Sequence, residues 1–240
     1  MWSETRRPEF LDGVIGHVEI KDRLRSYLNT PPYAHCILLH GPPGIGKTTI
    51  ALASTRTCGF DALEINASRS MRSFTDVESL VQSCRHTRNI SSLIRGDHKP
   101  VCLILDEIDG SDPHAQRRLA EWMVSKDRKV PVILTCNEVP RVMKQHAEIE
   151  VLRCYPPKPT DLAILLPNED VPKLAKRFKH DVRRILQFLQ YGESDGLPNV
   201  TAPSECSPEV SHMLRQKMYV SKDPMVESNE IAKTSSHCPS

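Results

Sequence analysis

Five short apolar runs, each closed by polar or turn-forming residues, alternate with longer segments of helical periodicity along the first 155 residues. The runs are Cys36–His40, Ala62–Asn66, Val101–Leu105, Val130–Cys136 and Ile149–Arg153. Val101–Leu105 is uninterrupted apolar, as a strand covered on both faces should be. Val18, Ile20, Leu24, Tyr27 and Leu28 recur at helix spacing through about residue 29, and Pro31-Pro32 ends that helix. A second helix opens with Thr49-Ile50-Ala51-Leu52-Ala53 and runs to about Cys58, with Gly59 as its stop signal. A third is expected from Phe74 to Cys84, with Val77, Leu80 and Val81 inward, followed by a polar, irregular stretch over 85–99. Pro113 fits the first turn of a helix running to about Val124, and a short helix is expected near Pro140–Gln145. Strands alternating with helices predict an α/β fold: a five-stranded parallel sheet wrapped by helices.

After Tyr155 the pattern changes. Pro156-Pro157-Lys158-Pro159 reads as a linker, and two or three short helices follow, at Thr160–Leu166, Val171–Phe178 and His180–Gln190. The last is strongly amphipathic, with Val182, Ile185, Leu186 and Leu189 on one face and Arg183 and Arg184 beside them. Beyond Tyr191 the chain is rich in Ser, Pro, Glu and Lys, so 192–240 is expected to be mostly disordered, with a conditional helix at Glu209–Val220. The expected organisation is an α/β domain over 1–155, a small helical unit over 156–191 and a tail over 192–240.

Composition changes this picture little. The chain is 240 residues long and 39% hydrophobic, enough for a core, but 5% aromatics and 19 prolines mean that part of it is not packed. A net charge of +2 does not announce nucleic acid, so any such contact must be local. Eight cysteines include no C-x-x-C pair. Cys36, Cys102 and Cys136 fall in expected strands and Cys58 and Cys84 on helices, the usage of reduced thiols in a reducing compartment. No apolar leader and no run of membrane length occur, so a soluble intracellular protein with no membrane partner is expected.

The chemistry begins after the first strand. Gly41-Pro42-Pro43-Gly44-Ile45-Gly46-Lys47-Thr48 is G-x-x-x-x-G-K-T between a strand and a helix, the context of a phosphate-binding loop. Glycines let the backbone curl so that several N–H groups face one anion, and the helix adds its positive end. Lys47 is a point charge for the β- and γ-phosphates, and the Thr48 hydroxyl is placed to ligate Mg²⁺. Thr49 continues the loop into the helix. The ligands implied are ATP and Mg²⁺.

Asp106 and Glu107 end the third strand, and parallel sheets bind ligands beyond their carboxyl ends. The loop and the acids should therefore meet although about sixty residues separate them. Asp106 would hold Mg²⁺ and Glu107 would polarise the attacking water; an acid at a strand end is also an ordinary helix cap. Asn137 ends the next strand, where an amide can bond the attacking water or the γ-phosphate, or simply make an Asn turn.

These parts in this order resemble the AAA+ ATPases, and in finer detail the clamp-loader subunits of replication factor C. Trp2 with Arg6-Arg7-Pro8, then Val14-Ile15-Gly16, is similar to the family's W-x-x-x-x-R-P and L-x-G segment, which packs by the adenine; Arg7, Val14 and Ile15 inherit that place. Glu64-Ile65-Asn66-Ala67-Ser68 resembles its E-x-N-A-S signature, and Ala115-Gln116-Arg117-Arg118-Leu119 its A-Q-x-x-L helix. His180-Asp181-Val182-Arg183 resembles G-D-x-R, whose arginine is the second sensor, so the resemblance makes Arg183 a candidate. Asp-Glu-Ile-Asp at 106–109 leans toward the large subunit.

The resemblance implies an ATPase in DNA replication, with other clamp-loader subunits, a sliding clamp and primer-template DNA as partners and a nuclear location. It places Arg69, Arg72, Arg117 and Arg118 toward DNA; a solvated basic face would read the same way. The Ala147–Cys154 region lacks the Ser-Arg-Cys finger of small subunits, which reaches into the neighbour's ATP, so no trans-acting arginine is expected from this chain. Because useful rates normally need a neighbour's arginine, the isolated chain should itself be slow, P-loop switches without such a finger running about 10³–10⁵-fold slower. The helical unit is expected to be one helix short. Arg69 stands where the family has an acid, and the stretch after Gln190 is too short and polar for the family's helical collar. A collarless ATP-binding scaffold, or another AAA+ remodeller such as a helicase loader, are the other readings of the same residues.

Overall fold

The computed structural model describes residues 5–70, 99–125, 128–167 and 169–191. The helix expected over Phe74–Cys84 and the tail beyond Tyr191 lie outside the described residues. Five parallel strands form one sheet in the order β2-β3-β4-β1-β5. They are β1 Cys36–His40, β2 Asp61–Asn66, β3 Val101–Asp106, β4 Val132–Cys136 and β5 Ile149–Arg153. β3 runs one residue past its apolar run, so Asp106 is itself a strand residue paired with Asn66. β4 starts later than expected, after Pro131, which has no N–H for the ladder but whose carbonyl accepts from Leu103 N at 3.0 Å.

Alternate residues of the central strands fill two cores. Leu38, Leu103, Leu105, Val132 and Leu134 pack with α4 (Pro113–Met123) on one face. Ile37, Leu39, Ile104 and Ile133 pack with α1 (Val18–Asn29) and α2 (Lys47–Thr57) on the other. Period-two strands buried on both sides between period-3.6 helices give the α/β sandwich. Asp112 caps α4 by accepting from His114 N and Ala115 N, with Pro113 at the first helical position.

Two features tie this sandwich together. Arg128 is buried and donates to the carbonyls of Met123, Val130, Tyr33 and His35. The Tyr27 hydroxyl accepts from Val132 N at 3.0 Å, fixing α1 against the start of β4.

Three more helices follow β5: α5 Pro159–Leu165, α6 Val171–Arg177 and α7 Val182–Tyr191. They bury Leu162, Leu166, Val171, Leu174, Ala175, Ile185 and Leu186 in a core of their own, against which Ile15 packs. α7 begins two residues later than expected, because Lys179 and His180 both take left-handed backbone, φ 52° and 61°. Between α2 and β3 only a four-residue helix, α3 Ala67–Ser70, is described. The helix expected near Pro140–Gln145 is a single 3₁₀ turn, Met143–Gln145, and Cys58 caps α2 rather than lying within it. Among the described residues no helix is long and apolar enough to cross a membrane, and the five cysteines are free thiols, four of them buried.

Candidate active site

The loop after β1 curls through Gly41, Gly44 and Gly46, all at positive φ. Gly44 needs its hydrogen twice over. Its φ is +73°, and a Cβ there would overlap the Asp181 carboxylate. Val182 N also donates to Gly44 O at 3.1 Å, so the start of α7 sits on the loop. At Gly41 a Cβ would overlap the Cys154 carbonyl just past β5.

Lys47 opens α2 and is 8% exposed. Its Nζ donates to Gly41 O and Pro42 O, both at 2.8 Å, and to Asn137 Oδ1 at 3.0 Å. Burial pulls its ammonium below the ordinary lysine range; the nearby thiols of Cys154 and Cys136 and the carboxylates of Asp106 and Asp109 work the other way. Next to it, Thr48 Oγ1 donates to Asp106 Oδ1 at 2.8 Å. The loop and the acid strand therefore meet, as the order of motifs predicts. Thr135 Oγ1 donates to the same Asp106 oxygen and accepts from Glu107 N at 3.3 Å.

Glu107 leaves the strand in left-handed backbone, φ 55°, which turns its side chain away from Asp106's ladder position. Its Oε2 accepts from Asn66 Nδ2 at 2.9 Å and from Ser68 Oγ at 3.2 Å. Asp109 Oδ2 accepts from Asn137 N and Glu138 N at 3.0 and 3.3 Å, holding the end of β4 in place.

One open cleft of about 190 Å³ unites these groups. Its floor is the loop from Pro43 to Thr49, its far wall Asp106, Glu107, Thr135 and Asn137. Arg7, Val14 and Ile15 close one side, and Leu165, Val182, Arg183 and Leu186 the other. Gly41 and Pro42 reach the site through their carbonyls on Lys47. Away from the cleft, Arg69 and Arg117 are exposed, Arg118 lies 3.5 Å from Glu121, and Arg72 lies outside the described residues.

The comparisons with known proteins agree with this arrangement. Residues 37–150 match the family model described as ATPase family associated with various cellular activities (AAA). The replication factor C large subunit of Thermococcus kodakarensis is 29% identical over 206 residues, covering 79% of this chain and 40% of that protein. The large subunit of Sulfolobus acidocaldarius is 38% identical over 145 residues, 57% of this chain and 31% of that protein. The small subunit of Saccharolobus solfataricus is 29% identical over 219 residues, 84% of this chain and 64% of that protein.

The chain carries an AAA domain over residues 37–150.

Its sequence is akin to replication factor C subunits, although it spans less than two thirds of the length of these three relatives. The RuvB Holliday junction branch migration motor of Thermotoga maritima has a similar fold, at a TM-score of 0.56 and 18% identity, over 78% of this chain and 65% of that one. Three groups that shape this AAA site were not singled out as site residues from sequence. Thr135 is the lone hydroxyl in an otherwise apolar strand, a signal that could have been read. Asn66 and Ser68 belong to the E-x-N-A-S signature, and their bonds to Glu107 follow from the pairing of β2 with β3.

Proposed function

We propose that this chain is an ATP-binding and ATP-hydrolysing clamp-loader-like subunit of the large-subunit type, coupling ATP to placement of a sliding clamp on primed DNA. The observation that carries the reading is the Thr48–Asp106 hydrogen bond, which joins the phosphate loop to the acid strand inside one cleft. The loop N–H groups and Lys47 bind the triphosphate, while Arg7, Val14 and Ile15 line the adenine side. The three-helix unit over 156–191 serves as the lid, with Arg183 facing the nucleotide. Asn137 positions the attacking water, and Glu107 takes its proton.

Thr48 Oγ1 and Asp106 Oδ1 are hard oxygen donors 2.8 Å apart, a set that fits Mg²⁺, which commonly takes one or two carboxylates with substrate phosphate oxygens. When bound, the ion supplies charge neutralisation on the β- and γ-phosphates. Arg69, Arg117 and Arg118, with Arg72 by resemblance, would meet the backbone of primer-template DNA, and the other clamp-loader subunits would supply the missing arginine in trans.

Steady-state ATP hydrolysis with and without primed template and clamp tests the reading. Stimulation that disappears in Glu107→Gln supports it. Tight ATP binding with no DNA- or clamp-dependent turnover would make the chain an ATP-binding scaffold instead.

A further inference from the structure

The lid carries more positive charge than nucleotide binding uses, Arg183 being the lid cation that lines the cleft. Between Val171 and Arg184 the chain has six Lys or Arg and one acid. Lys173, Lys176, Arg177, Lys179, Arg183 and Arg184 are all exposed. The one acid, Asp181, is turned inward: its Oδ1 accepts from Arg184 N at 3.0 Å and lies against Gly44.

The cations are presented on a fixed frame. The turn between α6 and α7 is tied by His180 N to Ala175 O at 2.9 Å and Asp181 N to Phe178 O at 3.0 Å. The His180 ring lies 3.2 Å from Pro157 O. The Arg177 guanidinium rests over Phe188 at 4.8 Å and Phe178 at 5.4 Å, and that of Arg184 over Phe178 at 6.0 Å. These ring contacts hold the two guanidinium groups near the helix surface, where their donors suit phosphate oxygens.

Most apolar side chains of α6 and α7 turn the other way, into the three-helix core, and among the described residues of these two helices the strongly exposed large one is Tyr191, at the far end of α7. A protein partner needs desolvated apolar or aromatic anchors. A phosphate backbone needs only charge and donors. We propose that the α6–α7 hairpin binds the sugar-phosphate backbone of a nucleic-acid duplex, as a contact surface separate from Arg69, Arg117 and Arg118. It rests on the clamp-loader-like reading only for the expectation that a duplex is present. Because Val182 N is bonded to Gly44 O, the basic surface is tied directly to the phosphate loop.

The test is fluorescence anisotropy of the full chain with a labelled duplex DNA over a range of salt. The variant joins Lys173→Gln, Lys176→Gln and Lys179→Gln, exposed positions outside the cleft. Loss of three phosphate contacts should lower the slope of log affinity against log salt by about 2–3 and weaken low-salt binding at least ~tenfold. Nucleotide affinity and far-UV circular dichroism should stay as in the parent. Binding of duplex DNA, duplex RNA or both supports the assignment and identifies the source of the backbone. A variant with the parent's affinity and slope overturns it. So does a polyglutamate peptide of equal charge that binds as tightly as the duplex, which would give the surface to an acidic protein. A parallel Arg69→Gln, Arg117→Gln, Arg118→Gln variant separates the two readings. If only that set weakens DNA binding, the hairpin fails and the clamp-loader reading survives. If the hairpin sets the slope while DNA and clamp leave turnover unchanged, the reverse holds.

Discussion

The side-chain amide of Asn66 donates to Glu107 Oε2 at 2.9 Å, linking the end of β2 to the acid proposed to activate water. Ser68 Oγ bonds the same oxygen, and Arg69 N donates to Asn66 Oδ1 at 3.2 Å. One carboxylate oxygen is thus engaged by a segment that leads to an exposed arginine. Asn66→Ala should raise DNA-independent ATP hydrolysis by about two- to tenfold, a small part of the 10²–10⁴ that a general base contributes, and shrink the stimulation by DNA. Glu107→Gln should lower turnover by about 10²–10⁴ in either background. Steady-state phosphate release measures both; an Asn66→Ala protein slower than its parent would show that the amide aids Glu107 instead.

The buried Lys47 ammonium gives a pH signature. Its pKa is lowered, first by burial, so it loses its proton before an ordinary lysine does as pH rises. The sign follows. Burying the charge costs stability at every pH below the lowered pKa, and that cost is relieved above it, while attraction for phosphate is present below the lowered pKa and lost above it. ATP affinity should therefore fall on the alkaline side, starting below the usual lysine range near 10.5. Isothermal titration with a non-hydrolysable ATP analogue across pH follows this. Lys47→Arg should flatten the profile whatever its own affinity, since guanidinium keeps its proton.

Gly44→Ala asks for left-handed backbone, about 1–2 kcal/mol for an L-residue, and drives a methyl into Asp181. ATP affinity should drop at least ~tenfold, and part of the loss should return in Gly44→Ala with Asp181→Ala, where the overlap is relieved. Equal losses in the single and double variants would mean that only the backbone term matters.

Arg128 supports the fold rather than the site. Removing it takes the donor from four carbonyls, those of Met123 and Val130 in buried bonds, so Arg128→Ala should destabilise the protein by about 3 kcal/mol and lower its melting temperature by about 6–12 °C. Thermal unfolding followed by circular dichroism reads this. Lysine at this position should restore little, since one ammonium cannot span four acceptors.

The sheet was legible because its strands are short, apolar and bounded by turn residues, and β1 and β5 fall on their expected limits. The meeting of Thr48 with Asp106 was legible because ligand motifs in parallel sheets gather at carboxyl ends. Other features are not local. Arg128 sits next to Lys129 in a polar stretch that reads as an ordinary surface loop, and its acceptors come from three separate segments. The contact of Val182 with Gly44 joins positions 138 residues apart, with no pattern in either stretch to announce it. The left-handed pair Lys179–His180 closes α6 through bonds from Lys179 N to Lys176 O and His180 N to Ala175 O, a helix end that usually takes glycine, so neither residue type announces it.

The strand order β2-β3-β4-β1-β5 sets β4 between the loop-bearing and acid-bearing strands. Thr135 reaches Asp106 on one flank and Asn137 reaches Lys47 on the other. The strand that bears the phosphate loop and the strand that bears the acids are therefore two ladder repeats apart, about 10 Å, a width gauged by backbone pairing. A one-residue slip of that middle strand would spoil both flanks in a single step, which makes the apolar packing of Val132, Ile133 and Leu134 the keeper of the catalytic dimensions.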